Sequence, residues 1–128
     1  MDEETSHCQK LVKAMFIGNI KDMVLPLGEL NSRKSCKAAF NFMLNEDSSE
    51  YQDFCFWCDT AELNKEYWQQ MALMNLAYEL NFKPWLRRRI FLNMRGQKNW
   101  LRLKKYYCDC HEIKYHNFLG AIENADID

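Results

Sequence analysis

The chain has 128 residues, of which 48% are hydrophobic and 14% aromatic, with only four Gly and two Pro. That length fits a single domain, 1–128, able to bury a core without disulfide staples, and the composition excludes a disordered chain and a many-turned β architecture. The formal net charge of −1 hides a segregation: residues 83–105 hold nine of the 17 Lys and Arg and no acid, leaving eight cations against 18 Asp and Glu elsewhere.

The N-terminus MDEETSHCQK is acidic and polar, where a secretory leader opens basic and then turns apolar. No apolar run approaches the roughly 18 residues that a membrane span needs. A cytoplasmic chain with no membrane partner is therefore expected, in the host cell if the protein is viral. Its six cysteines are then expected as reduced thiols.

In chain order, the first helix is expected over about residues 6–17, with Leu11, Val12, Met15 and Phe16 as its stripe and Gly18 as its end. KDMVLPLGEL, broken by Pro26 and Gly28, reads as irregular. A second helix is expected from about Ser32 to Leu44, burying Cys36, Ala39, Phe40 and Met43. NEDSS is a polar loop. Ser49 and Gln52 then match a capping box, and Phe54, Trp57, Cys58 and Ala61 repeat at helical spacing up to about Glu62. Asn64 suits the N-cap of a fourth helix running to about Leu80, with Leu63 and Trp68 placed for a hydrophobic staple. Trp68, Met71, Met74 and Tyr78 are expected on one side of it.

Pro84 fits the first turn of a further helix and Gly96 a position just past its end, with Leu86, Ile90 and Met94 on one stripe. A last helix is expected from Asn99 into YYCDCHEIKYH. Residues 87–107 also alternate as a β-hairpin turning at RGQK would, but the cap residues favour helices. The tail ENADID, residues 123–128, is acidic and expected to fray. The expected fold class is all-α, a compact bundle of five or six short helices.

Four groups of residues bear on function. The first is DFCFWCDTAEL, the joint Leu63–Asn64, and KEYWQQMALMNLAYEL, which together have the form of a helix-turn-helix if Asn64 takes the left-handed turn conformation. The run FCFWCDTAELNKEYWQQM resembles a pattern in small phage and prophage proteins: an aromatic-rich helix ending in Cys-x-x-Ala, a short turn, and a second helix opening on an acidic–aromatic pair. The resemblance covers roughly 30 to 40 of the 128 residues and departs at the turn, where Leu63–Asn64 replaces a Gly-containing joint. It implies a DNA-binding regulator.

The second group is the basic segment. Arg87, Arg88 and Arg89 fan across about 200° of a helix. Arg95 falls one heptad after Arg88, and Lys98, Arg102, Lys104 and Lys105 extend the charge. Cations at this density, with no acid to form i,i+4 pairs, can hold several phosphates and release counterions. The bland alternative is a solvated face, or one paired with the acidic remainder of the chain. Trp85 and Trp100 lie in the same stretch and read as core anchors before they read as base-stacking platforms.

The third group is the Cys/His set. Cys55 and Cys58 form CFWC, and Cys108, Cys110 and His111 form CDCH, with His116 nearby. Together they could supply zinc ligands. Against this, 49 residues separate the pairs and Cys58 belongs to an apolar helix face, so buried thiols and no cofactor are preferred. The fourth question is catalysis. There is no Gly-rich phosphate loop, HExxH or GxSxG. Asp109, His111 and Glu112 lie close together in sequence but read more simply as a solvated polar turn than as a nuclease site. An enzyme is not expected.

The functional expectation is a small viral or prophage transcription regulator that binds double-stranded DNA. The fourth helix or the basic helix after Pro84 would enter the major groove. Lys65, Gln69 and Gln70 are the candidates to read base edges, and Arg87, Arg88, Arg89, Arg95, Lys98, Arg102, Lys104 and Lys105 to hold phosphates. A regulator of this size is expected to dimerise. The alternative is a small effector that binds host RNA polymerase or inhibits a host defence complex.

Overall fold

The computed structural model describes residues 3–26 and 30–111. The protein is all-helical, with no strand among the described residues: α1 Glu3–Met23, α2 Leu30–Met43, α3 Ser49–Thr60, α4 Lys65–Glu79, α5 Leu86–Met94 and α6 Lys98–His111. The hairpin alternative for 87–107 is thereby replaced by two helices. The chain divides into two compact units, Met1–Gln70 and Met71–Asp128, with the division inside α4. Residues 112–128, which include Glu112, His116 and the acidic tail, lie outside the described residues.

In the first unit, α1 runs through Gly18, which does not end it. Glycine inside a helix costs about 1 kcal/mol relative to alanine. Here the extra turn brings Met23 and Val24 into the core beside the stripe of Val12 and Phe16. Leu11 and Met15, expected inward, are exposed. The Asn19 side-chain amide donates to the Ala39 carbonyl at 3.1 Å, tying α1 to α2. On α2, Cys36, Ala39, Phe40 and Met43 are buried as their spacing predicts.

The N-cap of α3 is Ser48, one residue before the predicted capping box. Its hydroxyl accepts from the Tyr51 amide at 3.2 Å and donates toward the carbonyls of Asn41 and Asn45, both at 2.8 Å. Ser48 thus serves the end of α2 and the start of α3 together, which Ser49 is not placed to do. Tyr51, Phe54 and Cys58 form the buried face of α3. The Phe16 ring stands 5.0 Å from Phe54 and 5.4 Å from Trp68, and Phe42 lies 5.5 Å from Phe54. These tilted and edge-on contacts form an aromatic core.

In the second unit, Leu73, Leu76, Ala77 and Leu80 from α4 and its end are buried, as are Leu86, Ile90 and Met94 on α5 and Trp100 and Leu103 on α6. The α5 stripe is the predicted one. The helix itself starts at Leu86, after a turn through Pro84 and Trp85. The expected face of α4 is corrected: Met71, Met74 and Tyr78 are exposed, and the small and branched residues Ala72, Leu73, Leu76 and Ala77 are buried instead. No helix among the described residues is long and apolar enough to cross a membrane.

Candidate nucleic-acid interface

Two short joints bear on the expected interface, one between α3 and α4 and one between α5 and α6. At the first, α3 closes with a left-handed residue, but it is Glu62 at φ 55°, not Asn64. The Leu63 amide donates to the Cys58 carbonyl at 2.8 Å and the Glu62 amide to the Asp59 carbonyl at 3.3 Å, the paired bonds of a Schellman closure. Asn64 is the N-cap of α4, as predicted, its side-chain oxygen accepting from the Tyr67 amide at 3.0 Å. The base-reading set proposed for α4 does not survive intact. Gln69 is 2% exposed, and its amide donates to the Met43 carbonyl at 3.0 Å and the Tyr51 hydroxyl at 3.2 Å. It satisfies the C-terminal end of α2 and cannot reach a base in this fold. Lys65 and Gln70 are exposed. The Lys65 ammonium lies 5.8 Å from the centre of the Tyr51 ring, and this neighbourhood raises the lysine's pKa, the Tyr51 hydroxyl first and the Cys55 thiol next.

The second joint lies in the basic segment. Residues 95–97 separate α5 from α6, and Gly96 takes φ +80°, a conformation that costs any residue with a Cβ. The turn is tied by the Arg95 amide to the Phe91 carbonyl at 3.2 Å, and by the Gln97 amide to the Met94 carbonyl at 3.1 Å. The Gln97 side chain donates to the Asn93 carbonyl, satisfying an acceptor of the last turn of α5. Phe91 and Trp100 meet edge-on across the joint at 6.4 Å.

The eight predicted phosphate contacts divide into two groups. Arg89 and Lys104 are each only 5% exposed, so neither is a surface charge. The Arg89 guanidinium lies 4.5 Å from the centre of the Trp85 ring, and the Lys104 ammonium 5.0 Å from that of Trp100. Both are drawn inward by the ring faces and by the packing of their aliphatic stems. Arg88, Arg95, Lys98 and Lys105 are exposed, and Arg87 and Arg102 are half-buried. On α5 and its end, Arg88, Leu92 and Arg95 follow at i, i+4 and i+7, with Leu92 66% exposed. On α6, Lys98, Arg102 and Lys105 repeat the same spacing. Each helix of this pair therefore turns a cationic stripe outward, and no carboxylate occurs in the sequence of either stripe. Trp100 is buried, which fits a core anchor, while Trp85 is exposed along part of its ring.

Of the described cysteines, Cys36 and Cys58 are buried and Cys8, Cys55 and Cys108 are half-buried. Cys58 is buried, and burial pushes its thiol up to about 11, with Cys55 and Asp59 acting in the same direction. Burial and Asp109 raise Cys108 as well. Cys55 and Cys58 belong to the first unit and Cys108 to the second, and the side chains of Cys110 and His111 lie outside the described residues. Among the described residues no three His, Cys, Asp or Glu side chains come together as a metal site would require.

No protein-family model, curated protein or solved structure matches this chain.

Proposed function

We propose that the protein is a DNA-binding transcription regulator of viral or prophage type, acting by binding and without catalysis in the cytoplasm of the host cell. The observation that carries this reading is the pair α5–α6: two helices, a three-residue joint with a left-handed glycine, and an outward cationic stripe on each. Arg87, Arg88, Arg95, Lys98, Arg102 and Lys105 hold phosphates and fix the register, while Arg89 and Lys104 build the scaffold beneath them. A homodimer would present two such surfaces to half-sites about one helical turn of DNA apart.

A salt series in fluorescence anisotropy tests this. Six phosphate contacts give a slope of log K on log salt of about −5. Replacing Arg87, Arg88 and Lys105 together by alanine should weaken binding and flatten the slope by about 3. Absence of binding above roughly 100 mM salt would sink the reading, because only weak non-specific contact is lost there.

One observation favours a second reading, the effector that binds a host protein such as RNA polymerase or a defence complex. Met71, Met74 and Tyr78 follow along one exposed side of α4, and Phe82 is exposed just beyond it, its ring 5.2 Å from that of Tyr78. An exposed apolar run of this kind suits a protein partner. Competition separates the two: a regulator prefers one DNA sequence over bulk DNA by orders of magnitude, and a protein-binder does not.

A further inference from the structure

The exposed face of α6 is not uniformly charged. Leu101, at 59% exposure, stands between Lys98 and Lys105 and next to Arg102, at i, i+3, i+4 and i+7 along the first two turns. The other large apolar residues of these turns, Trp100 and Leu103, are committed to the core. One leucine therefore projects from a cationic surface with no apolar neighbour on its own helix face. Arg102 beside it is held in place, its guanidinium donating to the Asn99 side-chain oxygen at 2.9 Å from a residue 1% exposed. A lipid surface is the poorer match, because the apolar face that an interfacial helix would insert is already used inside the unit. In a major groove lined by phosphates, the chief apolar group on the base edges is the thymine C5-methyl, and the N-terminal turns of a reading helix are the ones that meet those edges.

α4 is less suited to this task. Gln69 is buried, and the exposed residues Glu62 and Glu66 lie near Lys65 in sequence, adding negative charge at the start of the helix.

We infer that α6, not α4, is the reading helix and that Leu101 contacts a thymine methyl, with Arg102 beside it holding the adjacent phosphate. The target class is then duplex DNA carrying thymine at the position opposite Leu101. This inference rests on the DNA-binding reading above and adds to it the groove-facing helix and one base.

The experiment compares the full chain on an alternating A·T duplex and on the same duplex with uracil for thymine, by anisotropy at fixed salt. The two duplexes share every phosphate and differ only by the methyl groups. The thymine duplex should bind about fourfold more tightly, the value of one buried methyl. Leu101→Ala should abolish that preference and leave the salt slope unchanged. Leu11→Ala, an exposed leucine of α1 outside the cationic pair, should keep the preference and serves as the control. Equal binding of both duplexes by wild type overturns the inference while leaving DNA binding in place. So does a preference that survives in Leu101→Ala. Binding to neither duplex at low salt, where sequence-independent phosphate contact persists, or binding only to vesicles of anionic phosphatidylglycerol, overturns both the inference and the reading beneath it.

Discussion

The guanidinium of Arg89 stacks on the ring of Trp85 at 4.5 Å, and the residue is almost wholly shielded from water. The middle member of the Arg87–Arg88–Arg89 triplet is thus exposed and the last is structural. Arg89→Ala should cost about 2 kcal/mol in urea unfolding, from lost ring contact and lost packing of the stem. Arg88→Ala should change stability by less than about 0.5 kcal/mol and take about one unit from the salt slope of DNA binding. Equal stability losses for the two variants would contradict this division.

Gln69 bridges the end of α2 and the Tyr51 hydroxyl from inside the first unit. Gln69→Ala removes both bonds and leaves a buried carbonyl without its donor, so a loss of about 2–3 kcal/mol is expected. DNA affinity measured well below the melting temperature should stay at the wild-type value. A selective loss of affinity with unchanged stability would restore Gln69 as a contact residue.

Glu62 holds a left-handed conformation that a Cβ makes unfavourable by roughly 1–2 kcal/mol. Part of that is offset in Glu62→Gly by the greater freedom of glycine when unfolded. The net expectation is a gain of about 0.5–1 kcal/mol, visible as a rise in Tm. A fall would mean that the Glu62 side chain contributes more than its backbone costs.

At Gly18 the backbone is helical and an added Cβ would meet nothing within 4 Å. Gly18→Ala should therefore stabilise the protein by about 0.5–1 kcal/mol. Denaturant midpoints measured with an unchanged m-value check this.

Cys58 ties stability to alkaline pH. Its thiol is raised from 9.0 to about 11 by burial, so between those values the unfolded chain releases a proton that the folded chain keeps. Its contribution is complete below pH 9, falls as pH rises, and is gone above pH 11, a change on the order of 2–3 kcal/mol. Unfolding free energies of wild type and Cys58→Ala should run parallel below pH 9 and converge above it. Parallel curves throughout would show that the thiol does not carry the effect.

The helical class and the inward faces of α2 and α5 were legible because each has one apolar stripe and no rival. Cys36, Ala39, Phe40 and Met43 can face only one way, as can Leu86, Ile90 and Met94. α4 is apolar around much of its circumference, so the pattern offers two faces. Size favoured Met71, Met74 and Tyr78, but the core takes Ala72, Leu73, Leu76 and Ala77. Caps were legible to within a residue or two, since Ser48 and Ser49 differ only in which one can also bond the end of α2. The cationic segment was legible as a segment, and its sorting into inner and outer charges was not. The available signal was a repeated spacing, a tryptophan four residues before a cation, at Trp85–Arg89 and again at Trp100–Lys104.

That repeat has an optical consequence. Two of the four tryptophans carry a cation against the indole face and sit on or beside the helices that bear the outward charges, whereas Trp57 and Trp68 belong to the other unit. Indole emission responds to a nearby charge, so a polyanion settling on α5 and α6 should alter the light from Trp85 and Trp100 selectively. The protein thus has an intrinsic, label-free gauge of occupancy at the cationic surface of α5 and α6.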